Sequence, residues 1–253
     1  MCCFSGNVDY VLGTRIHARM LSPGRQAVAY QMVFSAADDL AMILPLPVAK
    51  DTGEDAVNFI DLSEYPKFFN DLRSGFPRTL LRTRPVPADA NGPFAGDTTL
   101  EVKRVGAFEA SYVPTVKDFT RLDERFRLDP EVWKSLPQYA DHGFAVFKLR
   151  KGEQEVHPMA FSFPTRHQGG LFFPTVHIHD GEVHAEEDFD HALYCQVQHT
   201  GLFAMTKWTE SEKLASTFMQ SHKAKGLLDP GGHVYRLRLK GKLKNEDIIL
   251  GAA

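Results

Sequence analysis

The dipeptide Asp180-Gly181 is the short feature that most constrains the fold, because apolar and polar residues alternate on both sides of it. Asp followed by Gly tolerates the positive φ angles of a type I′ turn, so the sequence predicts a β-hairpin with a two-residue loop. Such a loop fixes the register and makes His177 and His184 a cross-strand pair. Their Cβ atoms are then expected roughly 4.5–5.5 Å apart.

The predicted hairpin has one polar and one apolar face, since side chains alternate along a strand. The polar face holds His177, His179, Glu182 and His184. Three imidazoles on one rigid platform predict a transition-metal site, with His177 and His179 roughly 6.6 Å apart along their strand. A half-exposed hairpin with a polar solvent face is the alternative interpretation, because short histidine tracts are suggestive only.

Two adjacent cysteines follow the initiator methionine, and a bridge between neighbours would be strained, so we expect free thiols. Cys2 is small, and we expect Met1 to be removed. A free α-amine would then lie beside the thiols of Cys2 and Cys3, either as a chelating set or as a nucleophile with its own base. Burial of both cysteines as small apolar residues is the alternative.

A second group of candidates recurs every four residues at His191, Cys195 and His199. In a helix such a pair lies about 6 Å apart, whereas in a strand it is separated by roughly 13 Å. Alternation favours a strand here, so at most one of the three joins any single site and Cys195 is expected in the core. Asp188 and Asp190 are candidates for orienting imidazoles from outside the ligand set.

Composition narrows the class of protein. The 253 residues are 43% hydrophobic and 24% charged, which is ordinary for a globular protein, and the net charge of −3 argues against nucleic-acid binding. No apolar run approaches the roughly 20 residues of a membrane span, and the first residues do not resemble a signal peptide. We therefore expect a cytoplasmic protein that contacts neither nucleic acid nor membrane.

The pattern along the chain predicts an α+β fold, predominantly antiparallel β-sheet with about three to four helices, in a single β-rich domain over residues 1–253. Residues 83–98 are a weak candidate boundary. Two strand pairs are predicted from neighbouring segments, 25–34 with 39–47 and 142–150 with 155–163. Further strands are expected at 7–20, 99–105, 107–113, 233–240 and 246–250. Helices are expected after Ser63, Thr115 and Asp129-Pro130, and over 209–225.

Several segments resemble an uncharacterised bacterial family, a domain of unknown function whose secreted members have cysteine at or near the mature N-terminus. The matching segments are Cys2-Cys3, AVAYQMVFSAADDLAMILPLPV, VGAFEASYVPTVKDFTRLDERF, HGFAVFKLR and VHPMAFSFPTR. From the first segment to the last, they span about two thirds of the chain. The resemblance implies a shared fold and an important N-terminal cysteine, but no activity. Because the first residues do not resemble a signal peptide, we expect this chain to depart from the secreted members of that family.

Three functional hypotheses follow. The first is a copper or zinc protein with Cys2, Cys3 and the three hairpin histidines as ligands. Its catalytic form is a metal-dependent oxidoreductase or hydrolase that acts on a small molecule or peptide, with Glu182 as base. The second is an amidohydrolase with Cys2 as N-terminal nucleophile. The third is a non-catalytic metal-storage or interaction module. Nucleophile-elbow, Walker, Rossmann and CxxC patterns do not occur in the sequence.

Overall fold

The computed structural model describes residues 3–50, 52–77, 103–106, 108–155, 157–197 and 205–251. The protein is strand-rich, with 44% strand and 13% helix, and its sheets are mostly antiparallel. The predicted α+β class is confirmed at this level. The candidate boundary at 83–98 lies outside the described residues.

The first sheet has five antiparallel strands in the order β1-β4-β8-β7-β6. Its strands are β1 (Cys3–Phe4), β4 (Leu40–Leu46), β6 (Lys103–Val105), β7 (Phe108–Val113) and β8 (Gly143–Leu149). Every residue of β4 is buried. A strand covered on both faces reads as a continuous apolar run rather than as an alternation, which explains the sequence LAMILPL.

The second sheet has eight strands. Seven lie in the order β13-β14-β12-β2-β3-β10-β5. The eighth, β9, pairs with the C-terminal end of β3. These strands are β2 (Tyr10–Ser22), β3 (Arg25–Ala36), β5 (Asn58–Asp61), β9 (Gly152–Glu155), β10 (Met159–Pro164), β12 (Glu186–Gln196), β13 (Thr209–Glu210) and β14 (Tyr235–Lys244). The β12–β2 pair is parallel. A separate two-stranded sheet joins β11 (Leu171–Phe173) to β15 (Ile248–Leu250).

The two large sheets face each other across the largest apolar cluster, which includes Phe147 from β8 and Phe161 from β10. Short helices and irregular segments cover the outer faces. Residues 116–139, including α2 (Pro130–Lys134), cover the first sheet, and α1 (Phe68–Ser74) with residues 215–234 covers the second. The two sheets therefore lie between two outer layers of short helices and irregular segments.

Local signals in the sequence predicted several elements well. Asp129 caps α2 by accepting from the Glu131 amide, and β6 pairs with β7. Helix α1 buries Phe68, Phe69 and Leu72 as predicted, although it begins after Lys67 rather than at Ser63. The helix expected after Thr115 is a 3-10 helix over Val116–Arg121.

Both predicted strand pairs were wrong. Strand β3 pairs with β2, β9 and β10, whereas β4 lies in the other sheet between β1 and β8. In the same way β8 and β10 belong to opposite sheets. These strands are buried on both faces, so their apolar pattern does not distinguish a hairpin from a crossing between sheets.

The helix predicted over 209–225 was also wrong. Residues 209–210 form β13, and only Ala215–Thr217 are helical, as a 3-10 turn. The amide of Ala215 donates to the Gly232 carbonyl, and the amide of Ser216 donates to the Pro230 carbonyl. These long-range bonds replace the local ones of a helix, so tertiary contacts override the capping signal.

Within the described part of the chain, no helix is long and apolar enough to cross a membrane.

Candidate metal centre

The start of the chain lies beside the histidine segment. Cys3 and Ile178 form an isolated parallel bridge, and the Phe4 amide donates to the Ile178 carbonyl at 3.2 Å. The Phe4 ring also contacts the His179 ring edge-on, with centroids 6.0 Å apart. Long-range pairing therefore brings the N-terminal strand next to two of the predicted ligands.

The end of the chain fixes the same segment from the other side. Asp247 accepts from the amides of Thr175 and Val176 through Oδ1, at 2.7 and 3.1 Å, and from the Tyr139 hydroxyl through Oδ2 at 2.5 Å. Asn245 binds the His177 backbone. Residues 174–178 are thus held in place by contacts from both sides without belonging to a large sheet.

A buried pair of imidazoles lies at the centre of this region. The Nε2 atoms of His177 and His191 are 3.2 Å apart, their rings are inclined by 25°, and their centroids are separated by 4.8 Å. His177 is 1% exposed and His191 is 4% exposed. The ring of His179 stacks on His177 at 5.3 Å, and Phe189 contacts both His177 and His191.

Burial keeps these imidazoles neutral. It lowers the pKa of His177 to about 2 and that of His179 to about 4, and it also lowers the pKa of His191 well below its usual value. Among the described residues, the buried Nδ1 of His177 has no hydrogen-bond partner. Neutral imidazole is the form that binds metal ions, and a buried polar atom without a partner calls for an explanation.

The predicted cross-strand pair of His177 and His184 was wrong. His184 is exposed and its Nε2 lies 3.0 Å from Asp180 Oδ2, while Asp180 Oδ1 accepts from the Glu182 amide at 3.0 Å. The Asp180 side chain thus closes the turn itself. Strand β12 begins only at Glu186, after His184. The carbonyls of His177 and His184, which were expected to pair across a hairpin, both accept from the Asn245 side chain instead.

Asp180, Glu182 and His184 form an exposed group in which three ligand atoms lie within 4.8 Å of one another, the one such group among the residues described. All three side chains are on the surface, where groups of this kind are common without a metal. Glu182 therefore lies on an exposed turn rather than on a shared face with the buried imidazoles, and its predicted role as base has no support from this position.

The remaining candidates are dispersed. Cys3 is fully buried in an apolar cluster with Ile43 and Ile178. Cys195 lies in the core on β12, as the strand interpretation predicts, and burial raises the pKa of its thiol. Cys2 and His199 lie outside the described residues.

Asp188 and Asp190 do not orient the imidazoles. Neighbouring positions along β12 alternate between faces, so these carboxylates lie on the face opposite to His191. There they are in register with Lys242 and Lys240 of β14.

The sequence alone does not identify the partner of His191. His191 and His199 are too far apart along one strand to share an ion, so their spacing makes His191 only a minor candidate. The partner of His191 is instead His177, 14 residues earlier. A signal was present in Phe189 and His191, which share the inward face of β12 with Leu193.

The distance between the two Nε2 atoms suits a shared ligand. With metal–nitrogen bonds of about 2.0–2.1 Å, a separation of 3.2 Å corresponds to an angle of about 100° at the metal, near the tetrahedral value. The same distance suits one hydrogen bond between a protonated and an unprotonated Nε2. The separation of 3.2 Å is therefore compatible with a shared proton and with a shared metal ion.

No family model and no curated protein matches the chain. Among solved structures it is similar to baculovirus P35, with 12% identity, 99% of both chains covered and a TM-score of 0.48. A mutated baculovirus P35 after caspase cleavage gives 12% identity, 95% and 100% coverage and a TM-score of 0.47. The caspase-8/P35 complex gives 11% identity, 95% and 96% coverage and a TM-score of 0.45. These scores describe a distant likeness in the path of the chain, and they carry neither an activity nor a partner over to this protein.

Proposed function

We propose that this protein binds one copper or zinc ion at His177 and His191, in a closed site beside the N-terminal strand. The observation that supports this proposal is the 3.2 Å separation of two neutral, buried Nε2 atoms. Imidazole suits copper and zinc, whereas calcium and magnesium prefer oxygen ligands. His179, stacked on His177, is the nearest candidate for a further ligand.

The burial of the pair favours the metal-binding hypothesis without catalysis over the oxidoreductase and hydrolase hypotheses. A catalytic metal keeps an open position for water or substrate, whereas structural sites are closed. His177 and His191 are almost inaccessible to solvent, so a substrate does not reach an ion between them without movement of the chain. The proposed role is therefore to hold the ion, for storage or for stability. The amidohydrolase hypothesis stays a prediction about Cys2.

Metal titration tests the proposal. Protein stripped with chelator is titrated with zinc in the presence of a competing chromophoric chelator, and with copper(I) under reducing conditions. We expect about one equivalent bound, as for a single site. The variants His177→Gln and His191→Gln should each lose this binding, because each removes one of the two buried nitrogens.

His184→Ala and His222→Ala are the matched controls, since both remove an exposed imidazole from outside the pair. They should bind as the wild type does. Loss of binding in His184→Ala alone would move the site to the exposed group of Asp180, Glu182 and His184. Absence of any stoichiometric binding to the wild type would overturn the proposal, and far-UV circular dichroism establishes that each variant is folded.

A further inference from the structure

Four arginines gather on the outer face of the second sheet, at the side of the sheet away from the imidazoles. Arg15 of β2 and Arg238 of β14 are both in register with Ala192 of β12, which lies between them. Strands are spaced by about 4.8 Å, so the two arginine Cα atoms are roughly 10 Å apart across a small residue. Ala192 is only partly buried and forms a small floor between two long cationic side chains.

The other two arginines approach from adjacent positions. Arg236 precedes Arg238 by two residues on the same face of β14, and its guanidinium lies over the Phe76 ring at 4.4 Å. Arg73 is on α1, above the sheet. Arg73 follows Asn70 by about one helical turn, so the side chains of Asn70 and Arg73 lie on the same side of α1.

Local structure determines the position of the Arg15 side chain on this face of the sheet. A β-bulge between Leu12 and Arg15 interrupts the register with β3, and Gly13 takes a positive φ of 59° within it. The Arg15 Nη1 then donates to Gln31 Oε1 and to Asn70 Oδ1, each at 3.3 Å. Bulges of this kind commonly redirect a side chain at a functional site.

Three of the four arginines differ from other cations of β14 in their contacts to the described carboxylates. Lys242 pairs with Glu186 at 3.5 Å, and Lys244 pairs with Glu246. Within the described ranges, Arg73, Arg236 and Arg238 have no carboxylate oxygen within 4.0 Å. The nearest carboxylate along this face of β12 is Asp190, which is in register with Lys240.

The charges of the same four arginines also act on Tyr194, a buried residue on this face of β12. Burial raises the pKa of Tyr194, and the charges of Arg236, Arg15, Arg238 and Arg73 act against that rise. Arg236 is itself 9% exposed. Burial, followed by the charge of Arg238, lowers the pKa of Arg236, and a bound anion would offset the repulsion between these two guanidinium groups.

We propose that Arg15, Arg73, Arg236 and Arg238 form a binding site for the phosphate group of a small molecule. Guanidinium groups present paired donors that match phosphate oxygens. The donors come from both sides of Ala192 and from the helix above it. Donors in several directions suit a tetrahedral oxyanion better than a planar carboxylate, and the small floor suits a single phosphate group better than a polymer.

Calorimetric titration with inorganic phosphate at low ionic strength and pH 7.5 tests this site. We expect saturable binding of one phosphate that sodium chloride at the same ionic strength does not reproduce. The double variant Arg73→Ala/Arg238→Ala should raise the Kd by about tenfold or more, because it removes two charge-assisted partners. Both side chains are exposed, so the variant should fold.

Lys242→Ala/Lys244→Ala is the matched control, since it removes two charges from the same strand away from the site. Its Kd should stay within about twofold of the wild type. Arg238→Lys keeps the charge but loses the paired donors, so it should weaken binding, which separates a specific site from a general positive field. Absence of saturable binding, or equal weakening in the lysine control, would overturn the proposal.

Discussion

Asn245 binds the backbone of His177 in both directions: its Oδ1 accepts from the His177 amide at 2.7 Å, and its Nδ2 donates to the His177 carbonyl at 2.9 Å. One side chain thus takes the place of a strand partner. The same Nδ2 donates to the His184 carbonyl at 3.0 Å, so Asn245 sets the separation between the two ends of the histidine turn. The position of the buried imidazole therefore depends on a residue near the other end of the described chain.

Asn245→Ala should weaken both the fold and the proposed metal site. Three hydrogen bonds disappear, and we expect a loss of about 1–3 kcal/mol in the free energy of unfolding. Metal affinity should fall by about tenfold, as for other residues that position a ligand. Urea unfolding and chelator competition measure the two effects, and the exposed Asn58→Ala serves as control. An unchanged metal affinity would show that Asn245 does not position His177.

Asp247 offers a test of the contacts on the other side of the segment. Asp247→Ala leaves the amides of Thr175 and Val176 and the Tyr139 hydroxyl without their acceptor, and we expect a loss of about 2–4 kcal/mol. Asp247→Asn should cost less than about 1 kcal/mol, because its oxygen still accepts both amides and its charge, which burial disfavours, is gone. Thermal unfolding compares the two, and an equal loss in both would show that the carboxylate charge itself is required.

His17 predicts how stability depends on pH. It is fully buried, and burial, followed by the charge of Arg19, lowers its pKa to about 3. Above the unfolded-state pKa of about 6.5 both states are neutral. Below it the unfolded chain takes up the proton and the folded protein does not. Stability therefore falls on acidification, by about 1.4 kcal/mol per pH unit for this residue.

Between pH 7 and pH 5, His17→Leu should make the loss of stability about 2 kcal/mol smaller than in the wild type. Urea unfolding across the pH series measures the slope. His222→Leu, which changes an exposed histidine, should leave the slope as it is. Equal slopes for wild type and His17→Leu would contradict the assignment.

Gly75 marks a close contact at the end of α1. A Cβ at this position would lie 2.5 Å from Cζ of Phe218, inside the contact distance of any side chain. Gly75→Ala should therefore cost about 1–3 kcal/mol as the Phe218 ring is displaced. Gly53→Ala is the control, because its added Cβ would have no described atom within 4 Å. Comparable denaturation midpoints for the two variants would contradict the packing.

The secondary-structure elements that could be predicted from the sequence are those determined by neighbouring residues. Asp129-Pro130 combines a cap with a proline at the first helical position, and Phe68, Phe69 and Leu72 form one apolar side of a turn of helix. Sheet membership has no such local cause. Strands β3 and β4 are almost entirely buried, so their sequences do not specify the sheet to which each belongs.

The candidate site illustrates the same limit. The sequence pointed to His177 and His179 through their alternation, and to the start of the chain through Cys2-Cys3. It could not supply the contact between His177 and His191, which depends on β12 reaching the segment fixed by Asn245 and Asp247. Nor could it show that Asp180 would bind His184, because a local side-chain contact there competes with the hairpin ladder.

The two N-terminal cysteines should differ in what their substitution changes. Cys3 is fully buried against Ile43 and Ile178, so Cys3→Ser places a hydroxyl in an apolar cluster and should cost about 1–2 kcal/mol. Thermal unfolding measures this loss, and Cys3→Ala, which leaves no polar group, should cost less. An equal or greater loss in Cys3→Ala would attribute the effect to lost volume instead.

Cys2 is the predicted thiolate ligand, and its substitution should affect the metal and not the fold. A hydroxyl is a poor ligand for copper or zinc, so Cys2→Ser should lower metal affinity at unchanged thermal stability of the metal-free protein. Chelator competition measures the affinity, and intact mass shows whether Met1 has been removed and the α-amine of Cys2 is free to bind as well. If Cys2→Ser binds metal as tightly as the wild type, the imidazoles hold the ion without the thiolate. If Cys2→Ser instead unfolds at a lower temperature without metal, Cys2 contributes to packing as Cys3 does.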